Sequence, residues 1–102
     1  MGKYIKIAKI NDVAEGEGKS ILVGEESLAL FRSGGKYYAL KNTCPHAGGP
    51  LGEGVIHNGT EVICPWHGWR FDITTGRCLA NPSYVQKKYA LQIDGDDILA
   101  EL

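Results

Sequence analysis

The sequence predicts an all-β protein: an antiparallel β base, sandwich-like or barrel-like, built from both chain ends, with a loop-rich subdomain inserted between them. Three observations predict it. Apolar residues alternate with a period of two over short runs, as in Tyr89, Leu91 and Ile93, and nowhere keep a helical period. Glycine supplies 14 of 102 residues, about twice the ~7% norm, and Asn58-Gly59 and Asp94-Gly95 mark tight turns between short strands. Residues 42–60 carry five glycines, two prolines and few large apolar side chains, too little to bury a core of their own.

Taken in order, residues 4–9 read as a strand with Ile5 and Ile7 on one side and Tyr4, Lys6 and Ala8 on the other. Residues 11–18 break it. The runs 21–23 and 28–31 flank Gly24-Glu25-Glu26, and 36–41 follows Ser33-Gly34-Gly35 as the return arm of a hairpin. Residues 61–64 lead into a loop and 70–73 lead out of it through Thr75-Gly76. Tyr89, Leu91 and Ile93 share a face, Asp94-Gly95 turns the chain, and 98–102 makes the closing strand. The chain is thus a single domain, 1–102, with a base of residues 1–41 and 83–102 and an inserted subdomain of approximately 42–82.

The inserted segment holds the chemistry. Cys44-Pro-His46 and Cys64-Pro-Trp-His67 each offer one thiolate and one imidazole. The usual zinc finger groups two cysteines in one segment and two histidines in the other, so the mixed pairs argue against it, although a zinc site stays open as an alternative. Two mixed pairs suit two metals: the two cysteines can meet on one iron and the two histidines on another.

Cys-x-His, seventeen intervening residues, and then Cys-x-x-His-Gly resemble the signature of Rieske 2Fe-2S proteins. The stretches 46–51, 66–72 and Thr75-Gly76 are similar to the cluster loops of soluble bacterial Rieske ferredoxins and nitrite reductase small subunits. The resemblance runs the length of the chain. It implies a Rieske-like fold whose inserted part is a cluster-binding subdomain, one 2Fe-2S cluster as cofactor, and the ligand set Cys44, His46, Cys64 and His67. Within that set, Cys44 and Cys64 would bind the inner iron and His46 and His67 the outer one. A third loop, 81–84, would cover the cluster.

The resemblance also has departures. Respiratory Rieske proteins place a serine and a tyrosine where this chain has Trp69 and Phe71, and join two further cysteines where it has Gly49 and Trp66. Two hydroxyl donors to sulfur and a disulfide clamp are therefore missing, and the reduced cluster loses charge-stabilising contacts. The potential is expected near the bottom of the Rieske window, at ~-150 mV.

Composition narrows the remaining classes. The formal charge is -1, from 11 basic and 12 acidic residues, which gives no nucleic-acid or membrane surface. No apolar run approaches the ~18 residues of a spanning helix, and no secretory h-region opens the chain, so the expected location is the cytoplasm. Cys78 has no internal disulfide partner, which fits a reducing compartment, and reads as a packed core thiol. His57 reads as a solvated loop residue and Asp72 as a turn or salt-bridge former. Glycines 48, 49 and 52 read as openings through which backbone N–H groups approach sulfide. Trp66 and Trp69 could dock a partner or shield the cluster from water.

The function these readings imply is one-electron transfer from an NAD(P)H-dependent flavoprotein reductase to a terminal oxygenase, as an electron-transfer component and not an enzyme. A catalytic oxygenase subunit needs a mononuclear iron held by two histidines and a carboxylate, and only His57 remains once the cluster is built. The alternatives are the small subunit of an NADH-dependent nitrite reductase, partnered by its large subunit, and a zinc-stabilised binding module.

Overall fold

The computed structural model of the chain describes residues 3–43, 48–66 and 68–102. Its strands are β1 (Tyr4–Lys9), β2 (Glu17–Val23), β3 (Glu26–Ser33), β4 (Lys36–Lys41), β5 (Val55–His57), β6 (Glu61–Ile63), β7 (Arg70–Asp72), β8 (Lys88–Tyr89), β9 (Leu91–Asp94) and β10 (Asp97–Glu101). They form three antiparallel sheets, ordered β1-β10-β9, β2-β3-β4-β8 and β5-β6-β7. Helix among the described residues is limited to single 3-10 turns at Ile10–Asp12 and Leu51–Glu53.

Strand β3 shows how the sheets stack. Leu28, Ala29, Leu30 and Phe31 are all fully buried, which a strand achieves only when both its faces are covered. Leu28 and Leu30 point to one side, where Ala8, Val13, Ala39, Tyr89, Ile98 and Ala100 fill the space against the sheet of the chain ends. Ala29 and Phe31 point to the other, into a core with Leu40, Leu51, Val62, Phe71, Ile73 and Cys78. The four-stranded sheet is therefore the middle layer. Burial of Leu28, Leu30 and Phe31 contributes about 1.5–3 kcal/mol each.

The turns follow from residue type. Gly34 and Gly35 both take positive φ, 63° and 75°, the backbone angles of the two-residue hairpin turn that matches strand twist, and Asn58 and Gly59 take 54° and 75° in the three-residue turn between His57 and Glu61.

Two expectations are corrected. Ala8 does not lie with Tyr4 and Lys6 away from the core: the register between β1 and β10 shifts between Lys6 and Ala8, so Ala8 pairs with Ile98 and is buried, and Ile7 packs inward beside it. Residues 55–57 form a strand, and exposed His57 is its last residue, paired with Glu61, and not a loop residue. Leu51 is fully buried in a core shared with β3 and β4, so the 42–60 segment packs on the rest of the chain and not on a core of its own. Ile93 keeps the face of Leu91, the two pairing with Ile98 and Ala100, but lies at its edge and is 46% exposed.

Candidate metal centre

Two loops leave the β5-β6-β7 side of the molecule, and hydrogen bonds close each at its neck. The first spans 43–50. Thr43 bridges Pro50, the Leu51 N–H donates to the Asn42 carbonyl (2.8 Å), and the Gly52 N–H donates to Asn42 Oδ1 (2.8 Å). The second runs from Cys64, just past β6, to Trp69, just before β7, where the Cys64 N–H donates to the Trp69 carbonyl (2.7 Å).

The loops meet at Gly49. A Cβ placed there would lie 3.0 Å from Cys64 Sγ, 2.8 Å from Trp66 Cγ and 3.0 Å from Trp66 Cβ. The Cys64 side chain is thus buried, at 1% exposure, against the backbone of the opposite loop with nothing but hydrogen at position 49 between them. Positions 49 and 66, where respiratory Rieske proteins are joined by a disulfide, face each other here as a glycine beneath a tryptophan.

Of the four ligands expected from sequence, Cys64 is placed at this contact; Cys44, His46 and His67 lie outside the described residues. Among the described residues no three His, Cys, Asp or Glu side chains gather as a metal site. The sequence puts one more thiolate and two imidazoles on those loops, a set that suits a two-iron cluster with mixed ligands.

The neighbouring residues divide by role. Trp66 is 52% exposed, whereas Trp69 is half-buried, packs on the core and sets its ring 5.7 Å from that of Tyr84. Tyr84 belongs to the third loop, which is shaped by Asn81: its carbonyl accepts the Tyr84 N–H (2.9 Å) and its Oδ1 accepts the Ser83 N–H (3.1 Å). Phe71 is fully buried and carries no hydroxyl. Cys78 is fully buried without a disulfide, and Asp72 Oδ1 accepts from the Thr74 N–H (2.8 Å) and hydroxyl (2.6 Å), shaping a turn. Gly52 differs from expectation. Its N–H serves Asn42, and its missing Cβ makes room for the backbone of Lys19 and Ser20.

Two residues of this region had escaped the sequence reading. Asn42 had a signal, its place two before Cys44. Gln86, whose side chain reaches the carbonyls of Lys41 and Thr43, had none, because its partners lie 45 and 43 positions away.

An antiparallel three-sheet fold that brings two short Cys/His-bearing loops together over a shared core defines a small metal-cluster protein. The comparisons agree. Residues 3–93 match the family model of the Rieske 2Fe-2S domain, and the chain belongs to that family. It is 33% identical over 101 residues to the ferredoxin component of the naphthalene 1,2-dioxygenase system of Pseudomonas aeruginosa, covering 98% of this chain and 96% of that protein. Among solved structures it resembles the ferredoxin of carbazole 1,9a-dioxygenase from Nocardioides aromaticivorans IC177, with 31% identity, a TM-score of 0.87 and 97% of each chain covered. It also matches a chain in a complex of reduced oxygenase and oxidised ferredoxin of carbazole 1,9a-dioxygenase, with 26% identity, a TM-score of 0.85 and 96% and 92% covered. The cofactor of this family is one Rieske-type 2Fe-2S cluster, and the donor set that the sequence puts on the two loops, two thiolates and two imidazoles, suits it.

Proposed function

We propose that the chain is a one-electron carrier that accepts electrons from an NAD(P)H-dependent flavoprotein reductase in the cytoplasm and delivers them to a terminal oxygenase. Cys44 and Cys64 hold the inner iron, and His46 and His67 the outer one. The cluster supplies the exchange of a single electron; the chain supplies its position, its shielding and its docking face. In this reading the cluster-binding subdomain is approximately 42–82, set on a base of 1–41 and 83–102.

The observation that carries the reading is the contact of the two loops at Gly49, Cys64 and Trp66 in a chain of this family. Beside that contact, four large apolar side chains are exposed: Trp66, Leu79, Tyr84 and Val85, at 44–62%. Leu79 is tied to β7 through its N–H to the Arg70 carbonyl (2.8 Å), and Tyr84 rests on Trp69, so these residues flank the second loop. An apolar collar of this kind desolvates easily against a partner and brings the cluster edge close to it.

The test is spectroscopic and then functional. Purified protein should contain two irons per chain and give, on dithionite reduction, a rhombic EPR signal with average g near ~1.9. Voltammetry should place the midpoint near ~-150 mV, because Trp69 and Phe71 bring no hydroxyl to the sulfurs. Reduced protein should be reoxidised by a terminal oxygenase with substrate and oxygen. One zinc and no signal would support a binding module instead, a midpoint above zero would contradict the low-potential assignment, and reoxidation only by a nitrite reductase large subunit with nitrite would move the protein to that system.

A further inference from the structure

Two polar residues are buried among those described, Asn42 at 7% and Gln86 at 6% exposure, and both are committed to the neck of the first loop. Asn42 ties the returning limb, through Leu51 and Gly52. Gln86 ties the outgoing limb: Nε2 donates to the Lys41 carbonyl at 2.7 Å and to the Thr43 carbonyl at 2.6 Å, which uses both of its hydrogens.

The geometry explains why a side chain is needed. Strand β8 pairs with β4 through Ala39–Tyr89 and Leu40–Lys88, and the Lys41 N–H still finds the Lys87 carbonyl (2.8 Å). Beyond Lys41 the ladder stops. Carbonyls two residues apart on an extended chain point the same way, so the Gln86 amide can serve Lys41 and Thr43 together and stand in for the missing strand. Gln86 is itself held from behind. Its N–H donates to the Gly76 carbonyl (2.7 Å), and Gly76, at φ 85°, has no room for a Cβ because the Gln86 carbonyl occupies that place.

We propose that Gln86 is a positioning residue for the cluster. It extends the rigid part of β4 to Thr43, the residue before Cys44, and locks the 77–86 segment, with Tyr84 and Val85 on its surface, onto the limb that carries Cys44 and His46. The proposal rests on the cluster assignment above. Removing the donors leaves two part-buried carbonyls without this partner beside a ligand loop, and loss of a hydrogen-bonded support around a metal site typically costs 10–100-fold in metal affinity.

The test compares holoprotein of the wild type, Gln86→Met and, as a reference, Ile98→Val, whose site lies in the core under the sheet of the chain ends. Iron loss to a chelator is followed by visible absorbance well below the unfolding temperature, alongside the EPR g-values of the reduced protein. Gln86→Met should release iron at least ~10-fold faster and show shifted, broadened g-values, while Ile98→Val, although less stable, should match the wild type in both. Gln86→Glu keeps the side-chain volume, loses the amide donors and should behave like Gln86→Met; it gives the reading if the methionine variant does not accumulate. Wild-type release rates and g-values in the Gln86 variants, with only a lowered Tm, would overturn the proposal. A wild-type protein that holds no iron would overturn the cluster assignment, and this one with it.

Discussion

Gly49 is the residue on which the two loops turn. Because an added Cβ would stand 2.8–3.0 Å from Cys64 and Trp66, Gly49→Ala must push the loops apart or tilt the indole, and overpacking of this size costs about 1–3 kcal/mol. The iron-to-protein ratio should fall and the Tm should drop, which metal analysis and thermal unfolding would register; a variant with full iron and wild-type Tm would show that the loops have slack. Tyr89 is a second informative residue. Its hydroxyl donates to Glu26 Oε2 at 2.7 Å, and burial first, then the Glu26 carboxylate, pushes the phenol well above its ordinary range. The folded state holds this proton more tightly than the unfolded one. Its stabilisation is therefore complete below the ordinary phenol pKa and fades as pH rises from there through the folded value. Tyr89→Phe should cost ~1 kcal/mol near neutral pH, a drop of about 4–8 °C in Tm, and remove this part of the alkaline decline.

At the scale of elements, the β3–β4 turn is held by a carboxylate from outside it. Glu15 accepts the Gly35 N–H at 2.9 Å and the Gly34 N–H at 2.7 Å, with Arg32 Nε 4.0 Å away, and the Gly35 bond is the largest of the influences that lower its pKa. A lowered carboxylate pKa means that the stabilisation is present above the ordinary carboxylate range and is lost as pH falls through the folded value. Glu15→Gln should lower Tm slightly at pH 7, and the gap to wild type should close in acid; a gap independent of pH would mean the charge is not the cause. This contact also marks where sequence reading stops. Strands such as β2, β3, β4 and β10 were legible because alternation and Gly-rich turns are local signals. The two loops were picked out because metal coordination needs particular side chains at fixed spacing, and the structure brings them together at Gly49 and Cys64. The bulge at Ile7 was not, since nothing in Tyr4–Lys9 announces that β10 will pair with one residue skipped. Nor was β5, three residues long and drawn into a strand by pairing with β6 and not by its own pattern. Glu15, Asn42 and Gln86 share the same difficulty: each polar side chain serves backbone groups whose location only the tertiary fold decides.

For the whole molecule, the question is how far the fold depends on its cluster. A domain of about 100 residues buries only somewhat over ~60% of its unfolded surface, so a bound group matters. A ligand present at a thousand times its Kd adds about 4 kcal/mol of stability. Yet the three sheets do not depend on it equally. The terminal sheet β1-β10-β9 and one face of the middle sheet close over Leu28, Leu30, Tyr89 and Ile98, a core made wholly of residues outside 42–82. The β5-β6-β7 sheet has no core of its own; Val62, Phe71 and Ile73 are buried only because Ala29, Phe31 and Leu40 project from the middle sheet to meet them, with Leu51 arriving from the first loop. Removal of iron should therefore act in two ways. The Tm of the apoprotein should fall by more than about 10 °C, given the 4–8 °C that each kcal/mol represents at this size. The loss of protection should also be uneven: by hydrogen exchange, the amides of Val62 and Phe71 in β6 and β7 should exchange faster in the apoprotein, while those of Ile98 and Leu30 stay close to the holoprotein. Uniform deprotection would mean that the shared core transmits loop disorder across the middle sheet, and that the base cannot stand without the cluster.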